Sequence, residues 1–379
     1  YSDLILYGVV GLEDPAREGV GEAIEQCRAA GVSVVMVTGD HADTASNIAQ
    51  ATGILDETTD AARFLDGGSV DRLLNEGRRE ELRAVRVFSR VTPEQKLRLI
   101  DFYQHDEHVV AMTGDGVNDA PALQKADIGI AMGVRGTAVA KEASDMVLQD
   151  DEFGSIVAAV GYGRIIFENI RKFVIYLLSC NISEVLVVSL ATIAGAPLPL
   201  LPLQILFLNL VTDVFPALAL GVGAGDDAMM KSKPRPPGER ILMRRHWTEI
   251  GLYGLILALV VLAAMAISLR FLDYGQEQAI TVAFSTIAFA QLWHVFNMRR
   301  NLRHIVVNEI TRNIWVWLAL ILCVLLILVV MHTPALAAVM QLTRPDPSGW
   351  LLIIASSVVP LVAAPLVRRI AASSPSESA

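Results

Sequence analysis

The chain has 379 residues, a formal net charge of -9 and a hydrophobic content of 53%. Acidic residues concentrate before Glu168, whereas Lys and Arg gather beside the apolar runs that follow, so nucleic-acid binding is disfavoured. The three cysteines, Cys27, Cys180 and Cys323, lie far apart and suggest neither a disulfide framework nor a metal site, so we interpret them as packing residues. The first residues lack the features of a signal peptide. Because they start directly on a strand pattern without Met, we expect the chain to be part of a longer protein.

Short apolar runs alternate with helix-length amphipathic segments in the first half of the chain. The runs cover residues 4–12, 32–37, 83–89, 108–113, 127–132 and 145–149. This alternation predicts a parallel, doubly wound sheet, that is, an α/β fold. Asp14, Pro15 and Gly31 predict the limits of the first helix, and a second helix is expected from Ala42 to Gly53.

Two glycine- and acid-containing loops, TGD (38–40) and TGDGVND (113–119), each follow a predicted strand. Ligands bind at the carboxyl ends of parallel strands, so we expect Thr38, Asp40, Asp115 and Asp119 to lie close together. Carboxylates suit Mg²⁺, and hydroxyls, amides and glycine backbones can hold phosphoryl oxygens. Lys96, after another strand, could add positive charge to this site. Together the loops favour phosphoryl chemistry over simple turns, whereas Lys96 taken alone is better interpreted as a solvated lysine on a helix surface.

The nucleophile for such chemistry is not evident in the sequence. Phosphoryl transfer needs an attacking group in line with the leaving oxygen. The loops contain neither a Walker-type GxxxxGK[ST] run nor an obvious attacking Ser or Cys. We therefore expect a carboxylate nucleophile on a strand upstream of Tyr1.

Six apolar segments in the second half are long enough to cross a membrane. They cover residues 172–194, 201–222, 249–271, 278–298, 313–332 and 350–367. The predicted organisation is a soluble domain (1–155), a stalk helix (156–171), a six-helix membrane domain (172–367) in contact with lipid, and a tail (368–379). Gly161 or Gly163 could instead act as a hinge in the stalk. The distribution of Lys and Arg places the soluble domain and the C-terminus on the cytoplasmic side.

Polar residues inside these segments are candidates for a cation site. Asn181 and Glu184 share one helix face, as do Asn209, Thr212 and Asp213 in the next segment. Pro216 has no N–H to donate to the carbonyl of Thr212, so that carbonyl could join an oxygen-only site suited to Ca²⁺ or Na⁺. Alternatively, these groups merely pair with one another between helices.

The motifs MTGDGVNDAPAL, VMVTGDH, GLEDPAR and SRVTPEQK closely resemble the phosphorylation domain of P-type cation-transporting ATPases, which has a haloacid-dehalogenase-like fold. The resemblance continues through the membrane half. It implies that Asp115 binds Mg²⁺, that Asn118 and Asp119 support the phosphate site, that Lys96 stabilises the transferring phosphoryl group, and that Thr38, Gly39 and Asp40 contact phosphate. One departure is Asp14-Pro15-Ala16-Arg17, where the family usually has Asp-Pro-Pro-Arg.

The phosphorylated aspartate of the family belongs to an Asp-Lys-Thr-Gly-Thr run that this sequence does not contain. The ATP-binding domain is not recognisable either. The resemblance therefore implies a missing N-terminal portion as partner, without which the chain should neither form a phosphoenzyme nor pump.

The run NLVTD, with NxxE one segment earlier, is similar to type II, sarcoplasmic-reticulum-like calcium pumps. That pattern assigns Asn209 and Asp213 to one ion site, and Asn181, Glu184, Thr212 and Asp213 to a second. Gln291 stands where a glutamate usually completes the second site, so one Ca²⁺ per cycle is expected. His294, one turn further, is interpreted as a packing residue, with a counter-proton carrier as the alternative.

The combined hypothesis is the C-terminal part of an ATP-driven Ca²⁺ pump in the plasma (inner) membrane. Within the family, Na⁺ or Mn²⁺ is the alternative cation. From other classes, a membrane-anchored phosphatase and a noncatalytic remnant that binds a partner pump remain open.

Overall fold

The computed structural model of the chain describes residues 7–8, 16–55, 63–225, 227–300 and 307–372. It divides into two compact units, one comprising Tyr1–Tyr162 with Asp227–Glu239 and the other comprising Gly163–Asp226 with Arg240–Ala379. The strand predicted at 4–12 and the helix start predicted at Asp14 and Pro15 lie outside the described residues.

Strands and helices alternate in the first unit, which confirms the predicted α/β architecture. The strands are β1 (Met36–Val37), β2 (Phe64–Asp66), β3 (Val87–Ser89), β4 (Ala111–Gly114), β5 (Ile128–Met132) and β6 (Met146–Leu148). The helices are α1 (Val20–Ala29), α2 (Ala42–Ala51), α3 (Gly67–Asn75), α4 (Arg79–Ala84), α5 (Pro93–His105), α6 (Ala120–Lys125) and α7 (Ala138–Glu142). Every strand pairing is parallel, with Val37 opposite Phe88 and Thr113 opposite Ile130 as examples of the register.

The described strands form two parallel sheets, whereas the sequence led us to expect one continuous sheet. The first has the order β1-β3-β2 and the second the order β4-β5-β6. Among the described residues, β1 and β4 are therefore edge strands, each with one side that carries no described partner. An edge strand presents unpaired N–H and C=O groups, which are ready to pair with a further strand.

Local sequence sets the limits of the helices that support the loops. Thr92 accepts a hydrogen bond from the N–H of Gln95, whose side chain in turn accepts one from the N–H of Thr92, so a capping box starts α5. Gly31 follows α1 with φ +72°, as its predicted role in ending the helix requires. A Cβ at Gly31 would lie 2.6 Å from Cδ of Pro234, so a larger residue there would displace the segment 227–239.

The second unit is helical. It contains α8 (Phe153–Ile193, from Gly163 on), α9 (Pro202–Leu208), a π-helical turn (Asn209–Asp213), α10 (Val214–Gly221), α11 (Arg244–Phe271), α12 (Gln276–His294), α13 (Ile314–His332), α14 (Pro334–Met340) and α15 (Pro347–Ala372). Six helices among the described residues are long and apolar enough to cross a membrane, as predicted. Helix α8 is continuous over 41 residues, so neither Gly161 nor Gly163 interrupts it.

Helix α12 forms the centre of the second unit, because every residue from Ala279 to Leu292 is buried. Many of these residues are small, which allows neighbouring helices to approach closely. Two ion pairs join distant segments of the second unit, with Lys172 Nζ 3.3 Å from Glu309 Oε1 and Arg368 Nε 3.0 Å from Glu249 Oε1. Burial would raise the pKa of Glu309, but the N–H of Arg300 and the ammonium of Lys172 outweigh it and lower that pKa.

Candidate phosphoryl and cation sites

The loop after β1 is organised by its own side chains. Thr38 Oγ1 donates a hydrogen bond to Asp40 Oδ2 at 2.8 Å and accepts one from the N–H of Asp40 at 3.1 Å. Gly39 and Asp40 are exposed, and a Cβ at Gly39 would meet no atom within 4 Å. The loop therefore presents a hydroxyl, a carboxylate and an open stretch of backbone to solvent.

Two backbone bonds fasten this loop to the segment that leads into α5. The N–H of Val91 donates to the carbonyl of Thr38 at 3.0 Å, and the N–H of Arg90 donates to the carbonyl of Asp40 at 3.0 Å. Arg90 adopts a positive φ of 50°, which turns the chain at this point. The loop after β1 and the start of α5 thus form one connected surface.

Lys96 and Asp119 form the strongest polar contact of the first unit's candidate site. Lys96 Nζ lies 2.7 Å from Asp119 Oδ1, and the two side chains are only 16% and 13% exposed. Asp119 Oδ2 also accepts a hydrogen bond from the N–H of Gly116 at 3.3 Å. Lys96 is therefore an ion-paired residue that joins α5 to the loop after β4, and it is not a solvated surface lysine.

Gly114 leaves the space that Asp119 occupies. A Cβ at Gly114 would lie 2.6 Å from Cβ, 3.0 Å from Cγ and 3.1 Å from Oδ2 of Asp119. The first of these contacts involves the root of the side chain, so rotation about the outer bonds of Asp119 cannot relieve it.

On the expectation that Asp119 takes part in phosphoryl transfer, we predict that Gly114→Ala in the full-length protein lowers the rate of phosphorylation from ATP by at least about tenfold, because a misplaced group at such a site costs roughly that much or more. The measurement is the initial rate of labelled phosphate incorporation. Gly154→Ala is the matched control, since a Cβ there meets no atom within 4 Å. Equal rates in the two variants would contradict the assignment of Asp119 to the site.

Asp115 and Asn118 are exposed within the same loop, Asn118 in a short 3₁₀ turn that runs from Val117 to Asp119. The carbonyl of Asp115 accepts a hydrogen bond from the N–H of Thr137 at 2.9 Å, which holds the backbone while the carboxylate faces solvent. In the described part of the chain, no group of three or more His, Cys, Asp or Glu side chains could hold a metal ion. The oxygen donors at hand nevertheless fit Mg²⁺, which usually binds through one or two carboxylates and substrate phosphate.

Asp151 supports this loop, a role that the sequence did not predict. Its carboxylate is buried and accepts hydrogen bonds from the N–H groups of Val134 at 2.9 Å and Arg135 at 3.0 Å. The bond from Val134, joined by that from Arg135, lowers the pKa of Asp151. The carboxylate thereby fixes the turn after β5, which carries the Thr137 that holds Asp115.

The NLVTD run of the second unit forms the π-helical turn Asn209–Asp213. Pro216 has no N–H, so it cannot donate to the carbonyl of Thr212, its i-4 partner in an α-helix, or to that of Val211, its i-5 partner in a π-helix. Tyr176 Oη donates to the carbonyl of Thr212 at 2.7 Å, and Cys323 Sγ donates to the carbonyl of Val211 at 3.1 Å. The prediction of a freed Thr212 carbonyl is therefore corrected, because neighbouring helices supply its partner.

Gln291 bridges two of the predicted cation ligands. Its Nε2 donates to Glu184 Oε1 at 3.0 Å, and its Oε1 accepts from Thr212 Oγ1 at 2.8 Å. All three side chains are buried, with 4% exposure or less. The resemblance that assigned Gln291 to this site is thus consistent with the position of the Gln291 side chain beside Glu184 and Thr212.

Asp213 and Asn181 form a second pair, and Asn209 is half-buried at the start of the π-helical turn. Asn181 Nδ2 lies 3.3 Å from Asp213 Oδ2 and also donates to the carbonyl of Leu177 at 2.8 Å. Asp213 is 3% exposed, and its Oδ1 has no hydrogen-bond partner among the described residues. A buried carboxylate oxygen without a donor is costly, and a bound cation would satisfy it. The predicted ligands therefore pair with one another and yet leave one carboxylate oxygen unsatisfied.

Cysteine and aromatic residues surround this site, which sequence reasoning missed. The side chain of Cys180 lies beside those of Tyr176 and Asp213. His294 is fully buried and stacks on Tyr176 at a centroid distance of 5.9 Å. It also meets the ring of Tyr253 edge-on at 4.5 Å. This environment supports the interpretation of His294 as a packing residue.

Comparisons with known proteins agree over both units. Residues 197–370 match the family model of the C-terminus of cation transporting ATPases, while residues 2–127 and 96–160 match models of haloacid dehalogenase-like hydrolases. A calcium-transporting ATPase of Bacillus subtilis (strain 168) is 42% identical over 97% of this chain and 41% of its own length. An endoplasmic reticulum-type calcium-transporting ATPase 3 of Arabidopsis thaliana is 36% identical over 92% of this chain and 37% of its own length. A P-type sodium-transporting ATPase4 of Toxoplasma gondii is 48% identical over 66% of this chain and 19% of its own length.

A haloacid-dehalogenase-like domain joined to six membrane-spanning helices defines a class of integral membrane protein. The chain belongs to the P-type cation-transporting ATPases and corresponds to their C-terminal portion. It spans about two fifths of the length of the calcium-transporting relatives described above.

Proposed function

We propose that this chain is the C-terminal part of an ATP-driven Ca²⁺ pump that works through an aspartyl-phosphate intermediate. The observation that carries the proposal is the coexistence, in one chain, of a lysine–carboxylate site at strand ends and a buried, partly unsatisfied carboxylate between membrane helices. A phosphatase with a membrane anchor would have no use for Glu184 and Asp213 in that setting, because intramembrane carboxylates are expensive to maintain.

Two of the edge strands support an insertion site for the strand that bears the nucleophile. Among the described strands, β1 and β4 each form one edge of their sheet, and the loops Thr38–Asp40 and Asp115–Asp119 follow them. A parallel strand between them would pair on both sides and complete a single sheet. Its carboxyl end would then lie between the two loops, where an aspartate could attack a phosphoryl group in line.

The residues of the first unit have distinct parts in this proposal. Lys96 and the loop backbone would neutralise the oxygens of the transferring phosphoryl group, and Thr38 would donate a hydrogen bond to them. Asp115 would hold Mg²⁺, with Asn118 and Asp119 in support. When bound, Mg²⁺ supplies positive charge that offsets the developing charge on the phosphate.

The identity of the cation rests on the oxygen-rich ligand set of the second unit. Glu184 and Asp213 supply charge, while Asn181, Asn209, Thr212 and Gln291 supply neutral oxygens, a set that suits Ca²⁺. The neutral Gln291 supports one Ca²⁺ per cycle. Na⁺ is the second candidate, because a sodium-transporting relative is 48% identical to this chain over 261 residues.

Orientation follows from the basic residues that flank the spans. Lys231, Lys233, Arg235, Arg240, Arg244 and Arg245 lie between the second and third spans. By the positive-inside rule, this segment, the first unit and the C-terminus lie in the cytoplasm, with the spans in the plasma membrane.

The test is steady-state phosphorylation of the full-length protein in membranes from labelled ATP, with Ca²⁺, Na⁺ and Mn²⁺ titrated separately. We expect activation by micromolar Ca²⁺ and loss of the phosphoenzyme when Ca²⁺ is chelated. Activation by Na⁺ or Mn²⁺ alone would support a pump that transports that ion instead of Ca²⁺. The lack of an acid-stable phosphoenzyme under all three ions would overturn the proposal in favour of a noncatalytic remnant.

A further inference from the structure

A cavity of about 450 Å³ in the first unit has a cationic lining that the phosphoryl chemistry does not use. Three arginines line it, Arg28, Arg63 and Arg86, and no carboxylate is among the described residues that do so. Arginine is the residue best suited to hold phosphate, because its planar group offers paired N–H donors and keeps its charge. The cavity volume lies within the range of small-molecule sites.

This cavity is separate from the candidate phosphoryl site. Arg63 and Arg86 directly precede β2 and β3, and the lining residues Val32 and Val34 precede β1. Because these strands are parallel, the cavity lies at their amino ends. Thr38 and Asp40 follow β1 and therefore lie at the opposite end of the sheet.

Two of the three arginines, Arg28 and Arg86, are held in place by backbone carbonyls. Arg28 Nη2 donates to the carbonyl of Gly53 at 2.7 Å, and Arg86 Nη1 donates to the carbonyls of Arg83 at 3.0 Å and Val85 at 3.3 Å. Each of these two guanidinium groups uses only one nitrogen in these bonds. Orientation by neutral carbonyls leaves their positive charge uncompensated, which distinguishes them from Arg79 and Arg83, whose groups pair with Asp106.

Apart from Gly31 and Ser33, the remaining lining residues are apolar. Ile24 and Ile54 face the cavity together with the valines before β1. A ligand that matches both features carries two or more negative charges and a compact apolar group. We propose that this cavity binds a phosphate-bearing anion, either a soluble phosphate ester or the headgroup of an anionic lipid.

The test is calorimetric titration of the full-length protein, in detergent and phosphate-free buffer, with inorganic pyrophosphate. We expect saturable binding that Arg63→Gln and Arg28→Gln each weaken at least tenfold. Arg63 is exposed, so its substitution should leave the fold intact. Arg78→Gln is the matched control, because it removes the same charge from an arginine that is 49% exposed and lies outside the cavity.

Three outcomes would overturn the proposal. The first is an absence of binding at millimolar pyrophosphate, and the second is that Arg78→Gln weakens binding as much as the cavity substitutions do. The third is loss of binding in Lys96→Ala, which would show that pyrophosphate binds at the phosphoryl site. A second arm distinguishes the sources of phosphate. Arg63-dependent binding to phosphatidic acid vesicles would identify a lipid headgroup, whereas Arg63-dependent binding of pyrophosphate without vesicle binding would identify a soluble ester.

Discussion

Asp213→Asn in the full-length protein is expected to abolish phosphorylation activated by micromolar Ca²⁺. The side chain is 3% exposed, and its Oδ1 has no described donor, so its charge is available to a cation. Asparagine keeps the shape but removes the charge. We expect cation activation to shift by roughly a hundredfold or more, which corresponds to about 2.7 kcal/mol. The measurement is the Ca²⁺ dependence of phosphoenzyme formed from labelled ATP.

Asp273→Asn is the matched control for this substitution. Asp273 is exposed between α11 and α12 and has φ 52°, a conformation that asparagine tolerates well. The control should activate like the wild type. If phosphorylation of the Asp213→Asn protein is activated at the same Ca²⁺ concentration as that of the wild type, Asp213 is a structural partner of Asn181 and not a cation ligand.

The parts of both sites that the sequence predicted are those encoded locally. A glycine and acidic residues directly after an apolar strand are sufficient to place Thr38, Asp40, Asp115 and Asp119 at the carboxyl ends of β1 and β4. Likewise, the i, i+3, i+4 spacing predicts Asn209, Thr212 and Asp213 on one face of an α-helix, but the segment is a π-helical turn. Such predictions require only the rise of a strand or the turn of a helix.

The contacts that the sequence did not predict join distant positions. The bond from Tyr176 to Thr212 spans 36 residues, and that from Cys323 to Val211 spans 112. Pro216 indicated that a carbonyl would lack its N–H, but nothing in the local pattern indicates which helix supplies the replacement. An α-helical pattern does not anticipate the π-helical turn at Asn209–Asp213, whose geometry places the carbonyl of Val211 opposite Pro216.

The sheets of the first unit also have features that the local sequence does not predict. Strand β2 has only three residues, Phe64–Asp66, and passes directly into α3, so it has neither the length nor the alternation that identifies a strand. The division of the described strands into two sheets also has no local signature, because strand pairing depends on residues that are distant in the sequence. Asp151 was missed for the same reason, since its partners Val134 and Arg135 lie on another loop.

Lys96→Ala is expected to lower the rate of phosphoenzyme formation by roughly 10² to 10³, the usual cost of removing a group that stabilises transition-state charge. Lys96 is held 2.7 Å from Asp119 in a largely buried pair, so its ammonium is fixed in place before substrate arrives. Fixed charge in a partly desolvated site acts without reorganisation, which a mobile surface lysine would not provide. The measurement is single-turnover incorporation of labelled phosphate at saturating cation.

Lys125→Ala separates this role from a general loss of surface charge. Lys125 pairs with Asp101 at 2.8 Å in the same unit, but it is 43% exposed and ends α6 just before the amino end of β5, away from the carboxyl ends of the strands. Its removal should leave the rate within about twofold of the wild type, as expected for an exposed ion pair worth little energy. Thermal unfolding of both variants distinguishes chemistry from stability. A Lys96→Ala protein that unfolds earlier yet phosphorylates at the wild-type rate would make the pair with Asp119 a structural bridge, and the phosphoryl charge would then have to be neutralised by the loop backbone and Mg²⁺.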